Sequence, residues 1–172
     1  MAEIGKAGAE VRPSLLGRLV ERSSRFANRR GVYLGRRSTK LHVALYRRFG
    51  GRVGGRLLGW PQTRILLLDH VGARTGIRRT SPVMYYENGA VLAIVASKAG
   101  QPTNPAWFHN LLAHPETTVQ VGSETRRVRA RVATREERDA LWPNCLAVYP
   151  GYGFFQRLAH PRVIPIVLLE PR

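Results

Sequence analysis

The sequence predicts an α+β fold built on a small β-barrel, preceded by a basic helical extension. Three observations predict it. Positive charge is concentrated before residue 60, and short β-rich stretches begin after Trp60-Pro61. Six such stretches follow, divided by glycine turns. The helical segments among them are too few for a parallel sheet with helical crossovers. Residues 1–60 are therefore read as the extension and residues 61–172 as the barrel domain.

Within the extension, residues 1–12 read as disordered. Over residues 14–28, Leu15, Leu16, Leu19, Val20 and Phe26 fall roughly on one helical face, with Arg18, Arg22, Arg25 and Arg29 elsewhere. Residues 38–58 repeat the theme, with Leu41, Ala44, Leu45, Phe49 and Val53 against Lys40, Arg47, Arg48, Arg52 and Arg56. Gly50, Gly51, Gly54 and Gly55 weaken the second half of that helix. Basic amphipathic helices of this kind suit the headgroup region of an anionic bilayer. They equally suit packing on the domain with their arginines in water.

In the barrel domain, residues 64–71 read as a first strand, ending in the turn from Gly72 to Gly76. Strands over residues 80–87 and 90–97 flank Asn88-Gly89, a strong hairpin signal. Asn104-Pro105 reads as the cap and first residue of a helix reaching about Ala113. Strands over residues 117–121 and 126–133 follow across Gly122-Ser123. Thr134 and Glu137 form a capping box for a helix to about Val148. Residues 149–155 read as an aromatic loop, and residues 163–169 as the last strand.

Lys plus Arg number 28 against 11 Asp plus Glu, a formal net charge of +17. Residues 1–60 hold 14 basic and three acidic side chains, and residues 61–172 hold 14 and eight. Such an excess implies an anionic partner: nucleic acid, an acidic membrane surface or a polyanionic small molecule. The chain has one cysteine, Cys145, so no internal disulfide forms. The start lacks an apolar signal core, and no apolar stretch reaches the ~20 residues of a membrane span. A cytoplasmic protein is expected, with peripheral attachment to the inner face of the membrane if the basic helices bind lipid.

Three stretches carry candidate chemistry. In Gly72-Ala73-Arg74-Thr75-Gly76, followed by Arg78 and Arg79, the glycines permit a sharp turn that presents N–H groups. Thr75 and the arginines there suit phosphate or carboxylate oxygens. The spacing of a Walker loop and the fingerprint of a dinucleotide fold are both absent. Ala96-Ser97-Lys98-Ala99-Gly100 leaves an apolar strand ahead of Asn104-Pro105-Ala106-Trp107, a second place for negative charge. Trp142-Pro143 and Tyr149-Pro150-Gly151-Tyr152-Gly153-Phe154-Phe155 are apolar enough to wall a pocket for a flat ring. Alone, each also fits a structural role: a basic hairpin, a solvated loop, an inward-packed aromatic cluster. The five histidines show no metal spacing, no metal site is expected, and no catalytic triad is assembled. An enzyme with this content takes its chemistry from a cofactor.

Taken together and in this order, G-x-R-T-G, a-S-K-x-G, N-P-x-W, a-x-H/N-P and W-P…Y-P-x-Y resemble the F420-dependent oxidoreductases of actinobacteria, a family that includes nitroreductases and quinone reductases. The resemblance covers residues 65–171, including the closing Val163-Ile164-Pro165-Ile166-Val167. It implies a split β-barrel of the kind that also binds FMN, with reduced coenzyme F420 as hydride donor and a hydrophobic, quinone-like acceptor. F420 carries a phosphate and an oligoglutamate tail. By resemblance, Arg74, Thr75, Gly76, Arg78 and Arg79 match positions that hold these anions. Ala96, Ser97 and Lys98 match the segment beside the deazaflavin ring, and Ala106 and Trp107 lie close to it. Tyr149 and Tyr152 match aromatic residues that close over the substrate, and Ser97 or Tyr152 is the expected donor to the acceptor oxygen. Met84 and Phe155 stand where nitroreductase members have tyrosine, making the substrate side less polar. The alternatives are an FMN-dependent reductase on the same barrel and a non-catalytic F420 or lipid carrier. Nucleic acid is not expected, because no recognition helix or interleaved aromatic and arginine strand is present.

Overall fold

A computed structural model of the chain describes residues 36–172. The disorder expected over residues 1–12 and the helix expected over residues 14–28 lie outside the described residues. Helix α1 (Arg36–Arg48) opens the described part. It stops well short of the expected residue 58. Gly50 and Gly51 adopt left-handed φ of +54° and +76°, and residues 49–60 continue as turns.

Six strands close an antiparallel barrel: β1 (Ile65–Val71), β2 (Arg78–Asn88), β3 (Val91–Val95), β4 (Glu116–Val121), β5 (Glu124–Val132) and β6 (Ile166–Pro171). Their order around the barrel is β1-β2-β3-β6-β5-β4. Closure comes from Leu67 opposite Gln120 and Leu68 opposite Val119. With helices α2 (Ala106–Ala113), α3 (Arg135–Val148) and α4 (Gly151–Ala159), this is the α+β split barrel that the sequence predicts. The hairpin lies at the expected place, but its two-residue loop is Gly89-Ala90, with Asn88 paired to Val91 and Gly89 at φ +61°.

The barrel is buried on both surfaces in places, which explains the unbroken apolar run of β1. Leu66 and Leu68 point inward to join Ile94, Val119, Val167 and Leu169. Helix α2 plugs the interior with Trp107, Phe108 and Leu111. Ile65 and Leu67 point outward under Tyr46 of α1, forming a separate small cluster. Each such fully buried aliphatic side chain contributes about 1.5–3 kcal/mol. The Tyr46 hydroxyl donates to Ile65 O at 2.9 Å and accepts from Gly122 N at 2.9 Å, so α1 is tied both to β1 and to the β4–β5 turn.

A third cluster covers the outer face of β3 and β6, where Ala93, Val95, Ile166 and Leu168 meet Trp60, Tyr149, Tyr152 and Phe155. Here the expected aromatic loop over residues 149–155 is instead the start of α4. Tyr152, Phe155 and Ala159 share its buried face at i, i+3 and i+7. Pro150 sits at the N-cap, where a missing N–H costs nothing. Gly151 is required there, since a Cβ would lie 2.5 Å from the Tyr149 ring.

Candidate active site

The β1–β2 connection is a closed turn in which most backbone donors bond within the protein. Gly72 N donates to Ile77 O at 2.9 Å, and Thr75 N and Gly76 N both donate to Gly72 O. Ala73 N donates to Asn110 Oδ1 at 2.9 Å. The Gly72, Ala73, Thr75 and Gly76 N–H groups of the cradle expected for an anion are therefore engaged in holding the turn. What the turn offers outward is side chains, with Arg74 and Arg78 exposed and Arg79 half-buried. Thr75 Oγ1 lies where a Cβ on residue 72 would come within 2.4 Å, so a larger residue there requires the Thr75 side chain to move.

Arg78 and Arg79 continue from this turn into a cleft of about 1310 Å³ between α1 and the ends of β1, β2 and β4. Lys40, Arg47 and Arg127 also line it, against the carboxylates of Asp69 and Glu116. Asp69 is already satisfied: it accepts from Thr80 Oγ1 at 2.6 Å, Thr118 Oγ1 at 2.9 Å and Arg47 Nη2 at 3.4 Å. The cleft thus presents an excess of positive charge.

Asn110, which the sequence reading passed over, ties the turn to α2. Its Nδ2 donates to His70 Nδ1 at 2.8 Å, leaving His70 Nε2 to carry the proton toward Ser81 Oγ at 3.0 Å. Burial, helped by the Arg79 charge, lowers the His70 pKa and keeps the ring neutral. The chain order offers no signal for this contact, because Asn110 reads simply as a helix residue.

The Ala96-Ser97-Lys98 segment leaves β3 and turns sharply. Ala96 N donates to Pro165 O at 2.9 Å. Lys98 and Ala99 adopt φ of +47° and +51°, a left-handed conformation that costs non-glycine residues on the order of 1–2 kcal/mol each. Gly100 then packs on α4, where a Cβ would lie 2.8 Å from Leu158 Cβ. Lys98 Nζ donates to Thr103 Oγ1 at 2.7 Å. Asn104 does not cap α2 as expected. Pro105 is the N-cap, and Asn104 Oδ1 accepts from Arg162 Nη1 at 2.7 Å. Of the two α2 residues singled out, Ala106 is exposed and Trp107 is turned into the barrel plug.

Tyr149, Tyr152, Phe155 and Met84 do come together, in the outer aromatic cluster. Tyr149 and Tyr152 are 5% and 2% exposed, packed edge to face at 5.3 Å between centroids. Trp60 and Tyr86 belong to the same cluster, and sequence reasoning missed both. Trp60 stacks edge-on to Tyr149 at 5.1 Å, and Tyr86 faces Tyr152 at 6.2 Å. Trp60 Nε1 and the Tyr86 hydroxyl are buried without a hydrogen-bond partner of good geometry. Burial raises the pKa of both Tyr86 and Tyr152, so both remain neutral phenols. Cys145 beneath them is pushed up to about 12 by burial and is inert. Among the described residues no group of His, Cys, Asp and Glu could hold a metal.

Residues 38–171 match the family model described as F420H(2)-dependent quinone reductase. An F420H(2)-dependent quinone reductase of Mycobacterium tuberculosis (strain ATCC 25618 / H37Rv) is 36% identical over 146 residues, covering 81% of this chain and 94% of that protein. The corresponding protein of strain CDC 1551 / Oshkosh matches equally well. A solved structure of an F420-H2 dependent reductase, FDR-A, is 36% identical, with a TM-score of 0.57 over 62% of this chain and 93% of that one.

Proposed function

Because the chain belongs to the F420H2-dependent quinone reductase family, we propose that it passes a hydride from reduced coenzyme F420 to a quinone-like acceptor. The observation that carries this reading is the family match over residues 38–171, which spans the whole barrel and the cationic cleft beside it. The reduced deazaflavin supplies the hydride; the protein supplies binding, orientation and electrostatics. A polyanionic cofactor fits this chain. Arg74, Arg78 and Arg79 at the turn hold its phosphate and acidic tail, with Thr75 and Gly76 shaping the turn that carries them. Lys40, Arg47 and Arg127 extend the same positive surface. Ala96, Ser97 and Lys98 border the ring, near Ala106 and Trp107 at the start of α2.

On the acceptor side, Met84, Tyr149, Tyr152 and Phe155 form the apolar wall. The Ser97 hydroxyl stabilises negative charge on the acceptor oxygen by hydrogen bonding. Tyr152 is the alternative donor, and it reaches the acceptor only when the aromatic cluster opens, since its hydroxyl lies buried beside that of Tyr86. Its raised pKa makes it a poor acid, so the proton comes from solvent. No described helix is long and apolar enough to cross a membrane. The exposed Leu41 and Phe49 beside Lys40, Arg48 and Arg52 support peripheral attachment of α1 and the turn after it to an anionic membrane, where quinones reside.

The test is a titration with reduced F420 and menadione, following the return of oxidised deazaflavin absorbance. Arg74→Glu and Lys98→Ala are expected to raise the F420 Kd about tenfold or more, since one charge-assisted hydrogen bond contributes about 1.5–3 kcal/mol. Binding without turnover would make the chain a carrier. Absence of binding would sink the reading, and FMN would be tried on the same barrel.

A further inference from the structure

We infer that Arg162 is the positioning residue of the cofactor site, setting the backbone of residues 96–104 through a fully used guanidinium. This inference rests on the proposal that Ser97 and Lys98 border the deazaflavin.

A guanidinium carries five N–H donors in a fixed plane. In Arg162 all five are engaged on this one segment. Nε donates to Gln101 O at 3.1 Å, and Nη2 donates to Gln101 O at 2.7 Å and Ser97 O at 2.9 Å. Nη1 donates to Ala96 O at 3.2 Å and Asn104 Oδ1 at 2.7 Å. The segment needs such a clamp, because Lys98 and Ala99 are held at positive φ without being glycine. Its exit through Asn104 leads directly into α2, so one side chain fixes both the Ser97 turn and the start of that helix.

Arg162 is itself held in place. Its N–H donates to Ala159 O at 2.9 Å, and its carbonyl accepts from Gln156 Nε2 at 2.8 Å. Gln156 Oε1 accepts in turn from Ile164 N at 2.9 Å and from Arg138 Nη2 at 3.1 Å. Arg138 lies over the Trp142 ring at 4.4 Å. The clamp is thus anchored on α3 and α4, the helices that carry the acceptor-side tyrosines. Lysine cannot replace it, having three donors and no planar fork.

The experiment uses the full chain as Arg162→Lys and Arg162→Ala, with steady-state kinetics on reduced F420 and menadione and amide hydrogen exchange. In both variants the KM for reduced F420 is expected to rise about tenfold, with the KM for menadione within about twofold of wild type. Exchange of amides in residues 97–104 should accelerate while the barrel strands stay protected. Added guanidinium at non-denaturing concentration should restore part of the F420 affinity in Arg162→Ala and none in Arg162→Lys. Should Arg162→Ala fail to fold, Arg162→Lys decides through the KM split and the exchange pattern. An unchanged F420 KM, or equal losses toward both substrates with exchange rising throughout the barrel, overturns the positioning role. A wild-type chain that neither binds nor oxidises reduced F420 is a different result: it overturns the cofactor reading first, and the purpose assigned to Arg162 with it.

Discussion

His70 shows how a single buried side chain fixes the arginine-bearing turn. Its ring accepts from Asn110, which also receives the Ala73 N–H, so the neutral imidazole holds α2 against the arginine-bearing turn. Burial, with the nearby Arg79 charge, lowers its folded pKa; Asp69 opposes this more weakly. In the window between the folded and unfolded values, the unfolded chain binds more protons, so stability rises with pH there. The contribution is complete above the unfolded value of about 6.5 and is lost as pH falls from there toward the depressed folded value. The expected outcome is a melting temperature that declines as pH is lowered from 7.5 to 5, with a flatter profile in His70→Gln. Parallel profiles would refute the assignment. Neither Asn110 nor Arg162 was legible in the sequence. The partners of their side chains lie 37 to 66 residues away, and those of Arg162 are mostly backbone carbonyls, which carry no sequence signature.

At the scale of elements, local chemistry governs where the signal is local. The Thr134 capping box forms as its spacing requires: Glu137 N donates to Thr134 Oγ1 at 3.2 Å, and Thr134 N donates to Glu137 Oε2 at 2.8 Å. Arg131 and this cap hold the Glu137 carboxyl at about 2. Thr134→Ala is expected to lower stability by about 1 kcal/mol in urea denaturation, with F420 affinity unchanged. A change in affinity would mean that α3 reaches the site more directly than its cap suggests. The strands were legible to within a few residues, because turn glycines bound them. Helix α4 was not. Pro150, Gly151 and Gly153 signal a loop, and only the packing of Tyr152, Phe155 and Ala159 on the barrel makes a helix the better solution. The converse holds for α1, where glycines end the helix despite continuing apolar spacing.

For the whole molecule, the decisive quantity is an excess of positive charge that internal pairing leaves largely uncompensated. The ion pairs, such as Arg64 with Glu87 and Arg131 with Glu137 and Glu170, are solvent-exposed, where each contributes about 0–1 kcal/mol. On α1 and the turns after it, Leu41 and Phe49 are 61% and 47% exposed, beside Lys40, Arg48 and Arg52. Binding to vesicles containing anionic lipid is therefore expected, about 1 kcal/mol per basic residue near the surface, weakening as salt is raised. Leu41→Glu with Phe49→Glu should reduce that binding severalfold while leaving turnover on soluble menadione intact. Equal binding by the double variant would remove the membrane from the picture. Deleting α1 is the poorer test, since Tyr46 covers Ile65 and Leu67 of the barrel.

The sequence by itself determined the fold class, the strands with their turns and the positive charge around the β1–β2 turn, while the family was legible as a resemblance carried by several motifs in order. The fold class, strands and charge follow from periodicity, turn chemistry and composition, which act over a few neighbouring residues. Only the tertiary structure decided that the turn's backbone N–H groups bond inward, that Trp60 and Tyr86 join the aromatic cluster, and that Arg162 clamps the Ser97 segment. Those outcomes depend on which distant groups compete for the same donors and the same buried surface. That competition is settled when the barrel closes and brings the partners within hydrogen-bond reach.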